Sequence, residues 1–287
     1  MVHFLLIRHG ESKDNLSGVW AGWKDAPLSN HGMNQAEALA ESLSSIKLST
    51  IYSSDLLRAK TTAAALKKKQ LHADVPHHEL SALREQHFGI GEGMKFSRME
   101  PGLSLEDHYA RGKYPAIFDR QQSFPGGESL DDVAKRAESV IEAVLLPHLL
   151  QEKEEKEKQV LRTVAIVSHG LFIGELMSSI IQRDPATKST HNSHDFRGTR
   201  NTAWMRVEIT LQNESGQSDP LSDIIAHWRV KVSAINEHSH LSKVHRQKGG
   251  IGSLAHDAAQ KDIRTFFGKR SSESQSKSVK SARAKPY

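Results

Sequence analysis

Val2-His3-Phe4-Leu5-Leu6-Ile7-Arg8-His9-Gly10-Glu11 places a short apolar run directly before a cation, an imidazole and a glycine. Such a run reads as a buried strand, and the glycine lets the chain turn sharply at its end. Arg8 and His9 then stand at the carboxyl end of a strand, where open α/β sheets bind ligands. A guanidinium beside an imidazole is a fitting start for phosphate chemistry. The four residues from Arg8 to Glu11 gain weight only if the rest of the chain supplies partners.

The pattern repeats downstream. Residues 29–45 read as a helix with Ser29 as N-cap, 50–54 as a second strand, and 55–68 as an alanine-rich helix. Residues 129–150 form another helix, with Val133, Ala137, Val140, Ile141 and Val144 on one face. Residues 163–168 are a third strand followed by a helix over 171–181, and 204–211 and 225–235 alternate like two late strands. Strands alternating with helices predict an α/β fold, a three-layer α/β/α sandwich around a mostly parallel mixed sheet. The charge run 152–158 has no apolar face and reads as a solvated extension.

Composition narrows the classes. At 287 residues and 37% hydrophobic, the chain suffices for one sizeable domain or two small ones. It has no cysteine, which excludes disulfides, cysteine nucleophiles and thiolate metal sites. No apolar stretch approaches the ~20 residues of a membrane span, and no signal-peptide pattern opens the chain. Cytoplasm or nucleus is the expected location. The net charge of +5 is concentrated in residues 268–287, which hold six Lys/Arg against one acid. The rest is formally neutral, so direct nucleic-acid binding by the core is not expected. Periodicity fades from about residue 239. The expected organisation is therefore a catalytic domain over 1–240 and a basic, largely disordered tail over 241–287.

Four segments carry candidate chemistry. They are Arg8-His9-Gly10-Glu11-Ser12 with Asn15 a turn later, Ser53 to Ala59 containing Arg58, Leu83-Arg84-Glu85, and Ser168-His169-Gly170. Each residue alone has an ordinary reading: Arg58 as a solvated cation, His9 or His169 as a hydrogen-bonded core histidine, Glu85 as a turn cap. Their joint occurrence after successive strands is what favours a shared pocket. His77-His78, His191/His194 and His238/His240/His245 have metal-like spacings but no carboxylate cluster beside them, and read as surface residues. No metal or cofactor is expected.

With these motifs the chain resembles the histidine phosphatase superfamily, also called phosphoglycerate-mutase-like. The matching stretches are LIRHGES (6–12), GWKDAPLSNHG (22–32), SSDLLRAKTT (53–62), LREQHFGIGEG (83–93), PGGESLDDVAKR (125–136) and VSHG (167–170), in family order. The resemblance implies that His9 is a nucleophile forming a phosphohistidine, with its other nitrogen donating to a backbone carbonyl. It implies that Arg8, Arg58 and His169, the last as an imidazolium, surround the phosphate. Glu85 would be the general acid for the leaving alkoxide, and Asn15 and the backbone at Gly22 would touch phosphate or substrate. Glu11 would only support the loop.

Phosphatase and mutase share this chemistry. Mutases of the resembled family carry Asn after the second His-Gly, where this chain has Leu171, and an Arg-Arg pair that residues 94–124 lack. Hydrolysis of small phosphomonoesters, sugar phosphates among them, is therefore expected, with mutase-type transfer as the alternative. Residues 94–124 would cap the pocket and set specificity.

One motif falls outside this scheme. Gln260, Ile263, Phe266 and Phe267 follow the pattern Gln-x-x-Ile-x-x-Phe-Phe, which resembles the box that docks on the replication sliding clamp. Residues i, i+3 and i+4 would form an apolar plug on one helical turn. The alternatives are that this turn packs on the core or has no role. A clamp-associated protein with a secondary catalytic core is the competing function class.

Overall fold

The computed structural model describes residues 1–71, 74–151, 162–212, 228–257 and 259, and the backbone alone of 152–154. The strands are β1 (Val2–Arg8), β2 (Thr50–Ser53), β3 (His77–Glu79), β4 (Phe96–Ser97), β5 (Tyr114–Pro115), β6 (Arg162–Ser168), β7 (Trp204–Leu211) and β8 (Trp228–Glu237). The helices are α1 (Lys13–Ser17), α2 (Asn30–Ser42), α3 (Leu57–Lys69), α4 (Leu105–Ala110), α5 (Leu130–Val140), α6 (Leu146–Glu154), α7 (Gly170–Ile181) and α8 (Pro185–Thr190). A single π-turn, Ile141–Leu145, joins α5 to α6, so the predicted helix over 129–150 is nearly continuous.

Six strands form the main sheet in the order β3-β2-β6-β1-β7-β8. β3, β2, β6 and β1 run parallel, whereas β7 is antiparallel to both β1 and β8. The chain is thus the expected α/β protein with a mostly parallel sheet flanked by helices. β1 and β6 show almost no polar alternation because both faces are covered. Phe4, Leu6, Val164 and Ile166 face one core with Val133, Ala137 and Phe172 of α5 and α7. Leu5, Ile7, Ala165 and Val167 face the other, with Leu39 of α2 and Ala59, Ala63 and Leu66 of α3. β1 and β6 pair in register from Val2–Arg162 to Arg8–Ser168, so His9 and His169 leave the sheet side by side.

Two expectations need correction. The short edge strand β3 is absent from the sequence reading, because three polar residues carry no periodicity. The folded part expected to end at 240 extends to Ala255. Residues 241–255 are polar and aperiodic, yet they are tied down by hydrogen bonds. Arg246 forms a two-pronged ion pair with Glu11 at 2.5 and 2.9 Å. The amide of Asn30 donates to Leu254 O (2.9 Å), Lys13 Nζ to Ser253 O (2.5 Å), and Ser29 bridges Ala255. Gln260, Ile263, Phe266 and Phe267 lie outside the described residues. Among the described residues no helix is long and apolar enough to cross a membrane.

Candidate active site

The parallel strands deliver the candidate residues to one edge of the sheet. Arg8 closes β1, Arg58 opens α3 after β2, Glu85 follows β3, and His169 links β6 to α7. The structure brings these with His9 into one place.

His9 is buried, and its Nδ1 lies 2.6 Å from the carbonyl oxygen of Gly10. A carbonyl can only accept, so Nδ1 carries the proton and Nε2 keeps its lone pair. The backbone here is held by close approach. A Cβ on Gly10 would lie 2.5 Å from Gly32 O, and one on Gly32 would lie 2.0 Å from Glu11 O. Only glycine at both positions lets the first turn of α2 press against the His9 loop. Thr62 adds a polar tie, accepting from the Gly10 amide (3.0 Å) and donating to Arg58 O (2.8 Å).

His169 packs against His9 with ring centroids 5.0 Å apart. Its Nδ1 accepts from Arg58 Nε at 3.3 Å, so its proton sits on Nε2. That Nε2 is buried with no partner, as is Arg8 Nε. Two donors are therefore committed to the site and satisfied by nothing in the protein, an arrangement that suits an anion. The other nitrogens of Arg58 donate to Lys24 O and Gly22 O, both at 2.7 Å, and Arg8 Nη1 donates to Thr199 O at 2.6 Å. Gly22 therefore orients Arg58 through its carbonyl. Asn15 caps α1: its Oδ1 accepts from Ser12 N (3.1 Å) and from Asn201 Nδ2 (3.2 Å). These bonds engage the Gly22 carbonyl and Asn15 Oδ1, so the expected contacts with phosphate or substrate would fall to the Gly22 N–H and Asn15 Nδ2.

Burial pushes the pKa values of His9 and His169 well below the ordinary imidazole value, and Arg58 and Arg8 add to this. Burial also lowers those of Arg8 and Arg58, which remain charged because guanidinium starts so high. Burial thus favours a neutral His169 ring that donates one N–H, against the imidazolium expected around a bound phosphate. A stability consequence follows. Unfolded imidazoles titrate near ~6.5, so below that pH the unfolded chain takes up protons that the folded one refuses. Stability is fully present above pH ~6.5 and falls on acidification, by up to about 1.4 kcal/mol per pH unit for each imidazole. Urea unfolding between pH 5 and 8 should show this loss, and His9→Asn should reduce its slope while His169 keeps its share. Parallel loss in both proteins would place the source elsewhere.

Glu85 has a second task. Helix α7 has no side-chain cap from His169, and Glu85 supplies one. Its Oε1 accepts from Phe172 N (3.1 Å) and its Oε2 from Leu171 N (3.3 Å), at the positive end of the helix. The capping alternative for Glu85 is thus real, and the cap aims the carboxyl at the same cleft. Arg8 and Glu85, with Gly170, Leu171, Arg197 and Thr199, line a cleft of about 190 Å³ whose walls do not include His9, Arg58 or His169.

Sequence reasoning missed the support behind Glu85. Arg136 pairs with both oxygens of Glu128 (3.0 and 2.7 Å) and donates to the carbonyls of Ala82, Arg84 and Glu85. Trp23 Nε1 donates to Glu85 O at 2.8 Å. Glu128 and Arg136 both belong to the 125–136 motif, eight residues apart on the approach and face of α5. That spacing was the available signal. Among the described residues no group of three or more His, Cys, Asp or Glu is arranged to hold a metal ion.

The family model for the histidine phosphatase superfamily (branch 1) matches residues 4–215. The chain belongs to this superfamily. It is accordingly an enzyme of the phosphoric monoester hydrolase class. A Schizosaccharomyces pombe protein described as a probable phosphatase is 28% identical over 92% of this chain and 79% of its own length. A metal-independent phosphoserine phosphatase of Arabidopsis thaliana is 30% identical over 71% of this chain and 79% of its own. A phosphoglycerate mutase from Bacillus anthracis shares the fold, with a TM-score of 0.56 at 23% identity over 84% of this chain and 96% of that one. Phosphatases and mutases thus both resemble this superfamily member.

Proposed function

We propose that this enzyme hydrolyses small phosphomonoesters through a phosphohistidine on His9. The observation that carries the reading is the pair of opposite imidazole tautomers. His9 presents a lone pair on Nε2, and His169 a proton on Nε2, with Arg8 and Arg58 beside them. His9 Nε2 attacks phosphorus in line, the P–O bond to the alcohol breaks, and the three equatorial oxygens are held by the two guanidiniums and His169. Glu85 gives its proton to the departing alkoxide. Its oxygens accept backbone N–H bonds in this structure, so the proton arrives with the substrate, whose phosphate charge draws it to the carboxyl. In the second half-reaction Glu85 takes a proton from water, which attacks phosphorus and releases orthophosphate and free His9.

Hydrolysis is favoured over mutase transfer by Leu171, whose side chain offers no hydrogen bond to a second substrate at the cleft. Acid-labile ³²P should be trapped on His9 when a labelled phosphomonoester is quenched in alkali within milliseconds. The same enzyme given 3-phosphoglycerate with 2,3-bisphosphoglycerate should release orthophosphate faster than it makes 2-phosphoglycerate. Label elsewhere, or net mutase turnover, would reject the reading.

A further inference from the structure

A second pocket adjoins the cleft and shares two of its walls, Leu171 and Arg197. Its volume is about 170 Å³. Its other walls are chiefly apolar: Trp20, Phe88, Ile117, Phe118, Phe124 and Leu130. Ile117, Phe118 and Phe124 come from the 94–124 segment, which the sequence singles out as a cap.

The aromatic part of this wall is braced. Trp20 packs on Phe88 and Phe124 with centroids 4.7 and 5.4 Å apart, and its indole N–H is satisfied by Tyr114 O at 2.9 Å. Phe124 is also held by Tyr109 and Tyr114 at 5.6 and 6.0 Å. Phe118, by contrast, is 82% exposed, a large ring left in water at the pocket mouth. A core residue would not be placed so; a ring that closes over a ligand would. Gln86 is the polar side chain on the wall besides Arg197. A polyhydroxylated leaving group would lose its water there and find few partners.

We infer that the pocket beside Leu171 takes the alcohol half of the substrate, and that this alcohol bears one apolar ring, as in an arylalkyl phosphate. The inference rests on the proposed phosphatase reading for the position of the phosphate. The volume matches it, because a cavity of about 150 Å³ lined by apolar side chains holds one benzene. Leu171 then has a positive role. It joins the phosphate cleft to the ring pocket, where an Asn would break the apolar wall. Arg8 and Glu85 line the adjoining cleft, so a phosphate held by Arg8 would direct its ester oxygen past Glu85 into this pocket. On this proposal aromatic alcohols are preferred to sugars of similar size.

The test separates binding from turnover. Calorimetric titration with benzylphosphonate and with 2-hydroxyethylphosphonate, neither of which can be hydrolysed, measures the pocket alone. The benzyl compound should bind about tenfold tighter, the scale of burying one apolar side chain. Phe118→Ala and Leu171→Asn should each bring that ratio below about threefold, and the exposure of Phe118 makes the first variant safe for folding. A wild-type ratio under about threefold overturns the inference, whatever the activity. Turnover of benzyl phosphate and glycerol 1-phosphate, whose leaving alcohols have similar basicity, gives the second arm. Equal kcat/KM with ³²P on His9 would sink the ring pocket and spare the phosphatase. Selective benzylphosphonate binding with no turnover would do the reverse.

Discussion

His9→Ala should lower kcat/KM for p-nitrophenyl phosphate by about 10⁴-fold or more, because loss of a covalent nucleophile removes the whole two-step path. The residue is buried and its ring contacts His169, so truncation leaves a small hole in a polar site and not in either apolar core. The fold should survive, since His9 lies beyond the last residue of β1. Far-ultraviolet circular dichroism and binding of orthophosphate check that point. Arg8, Arg58 and His169 still present their donors in the variant, so phosphate should bind within about tenfold of wild type while turnover vanishes. A variant that keeps wild-type turnover would show that His9 is not the nucleophile. One that loses phosphate binding together with activity would show that the ring organises the site and does not react.

Glu85→Gln should have an effect that depends on the leaving group. A poor leaving alcohol such as benzyl alcohol needs a proton as the P–O bond breaks, and its kcat should fall by about 10² to 10⁴. The p-nitrophenolate ion leaves without help, and its loss should be about tenfold or less. Glutamine keeps the carbonyl oxygen that accepts from the α7 amides, so the helix cap is partly preserved and stability becomes a control. The pH profile supplies the sign. Alkyl ester turnover should fall as pH rises past about 6, where a phosphomonoester loses its second proton and Glu85 can no longer receive one with the substrate. His9 sets no acid limb near pH 6, because burial keeps it unprotonated well below the ordinary range. Equal losses for both substrates would assign Glu85 a capping role only.

The sheet was legible where its strands are buried on both faces. The runs in β1 and β6 are continuous apolar stretches bounded by charge or glycine, and these are hard to read as anything else. Arg8, His9 and His169 were legible because they stand at such boundaries, whereas Arg58 and Glu85 were legible only through their motifs. What escaped was determined by contacts between distant segments. His77–Glu79 becomes a strand only because β2 offers it an edge. Residues 241–255 have no pattern of their own and are ordered by Glu11, Lys13 and Asn30. Burial at the junction of β6 and α7 disfavours a charged His169, and the letters around it give no measure of burial. Gly22 and Asn15 were found at the site, but the support they give to Arg58 and the α1 cap carries no signal in the sequence.

The central place of β1 has a consequence during synthesis. Its neighbours are β6 and β7, which begin at residues 162 and 204. At about 5–20 residues per second, the ribosome needs roughly ten to forty seconds after making Val2–Arg8 before both partners exist. Until β6 emerges, the most apolar early segment of the chain has neither of its two partner strands. The pairing of β6 with β1 is also the event that first brings His9 and His169 side by side.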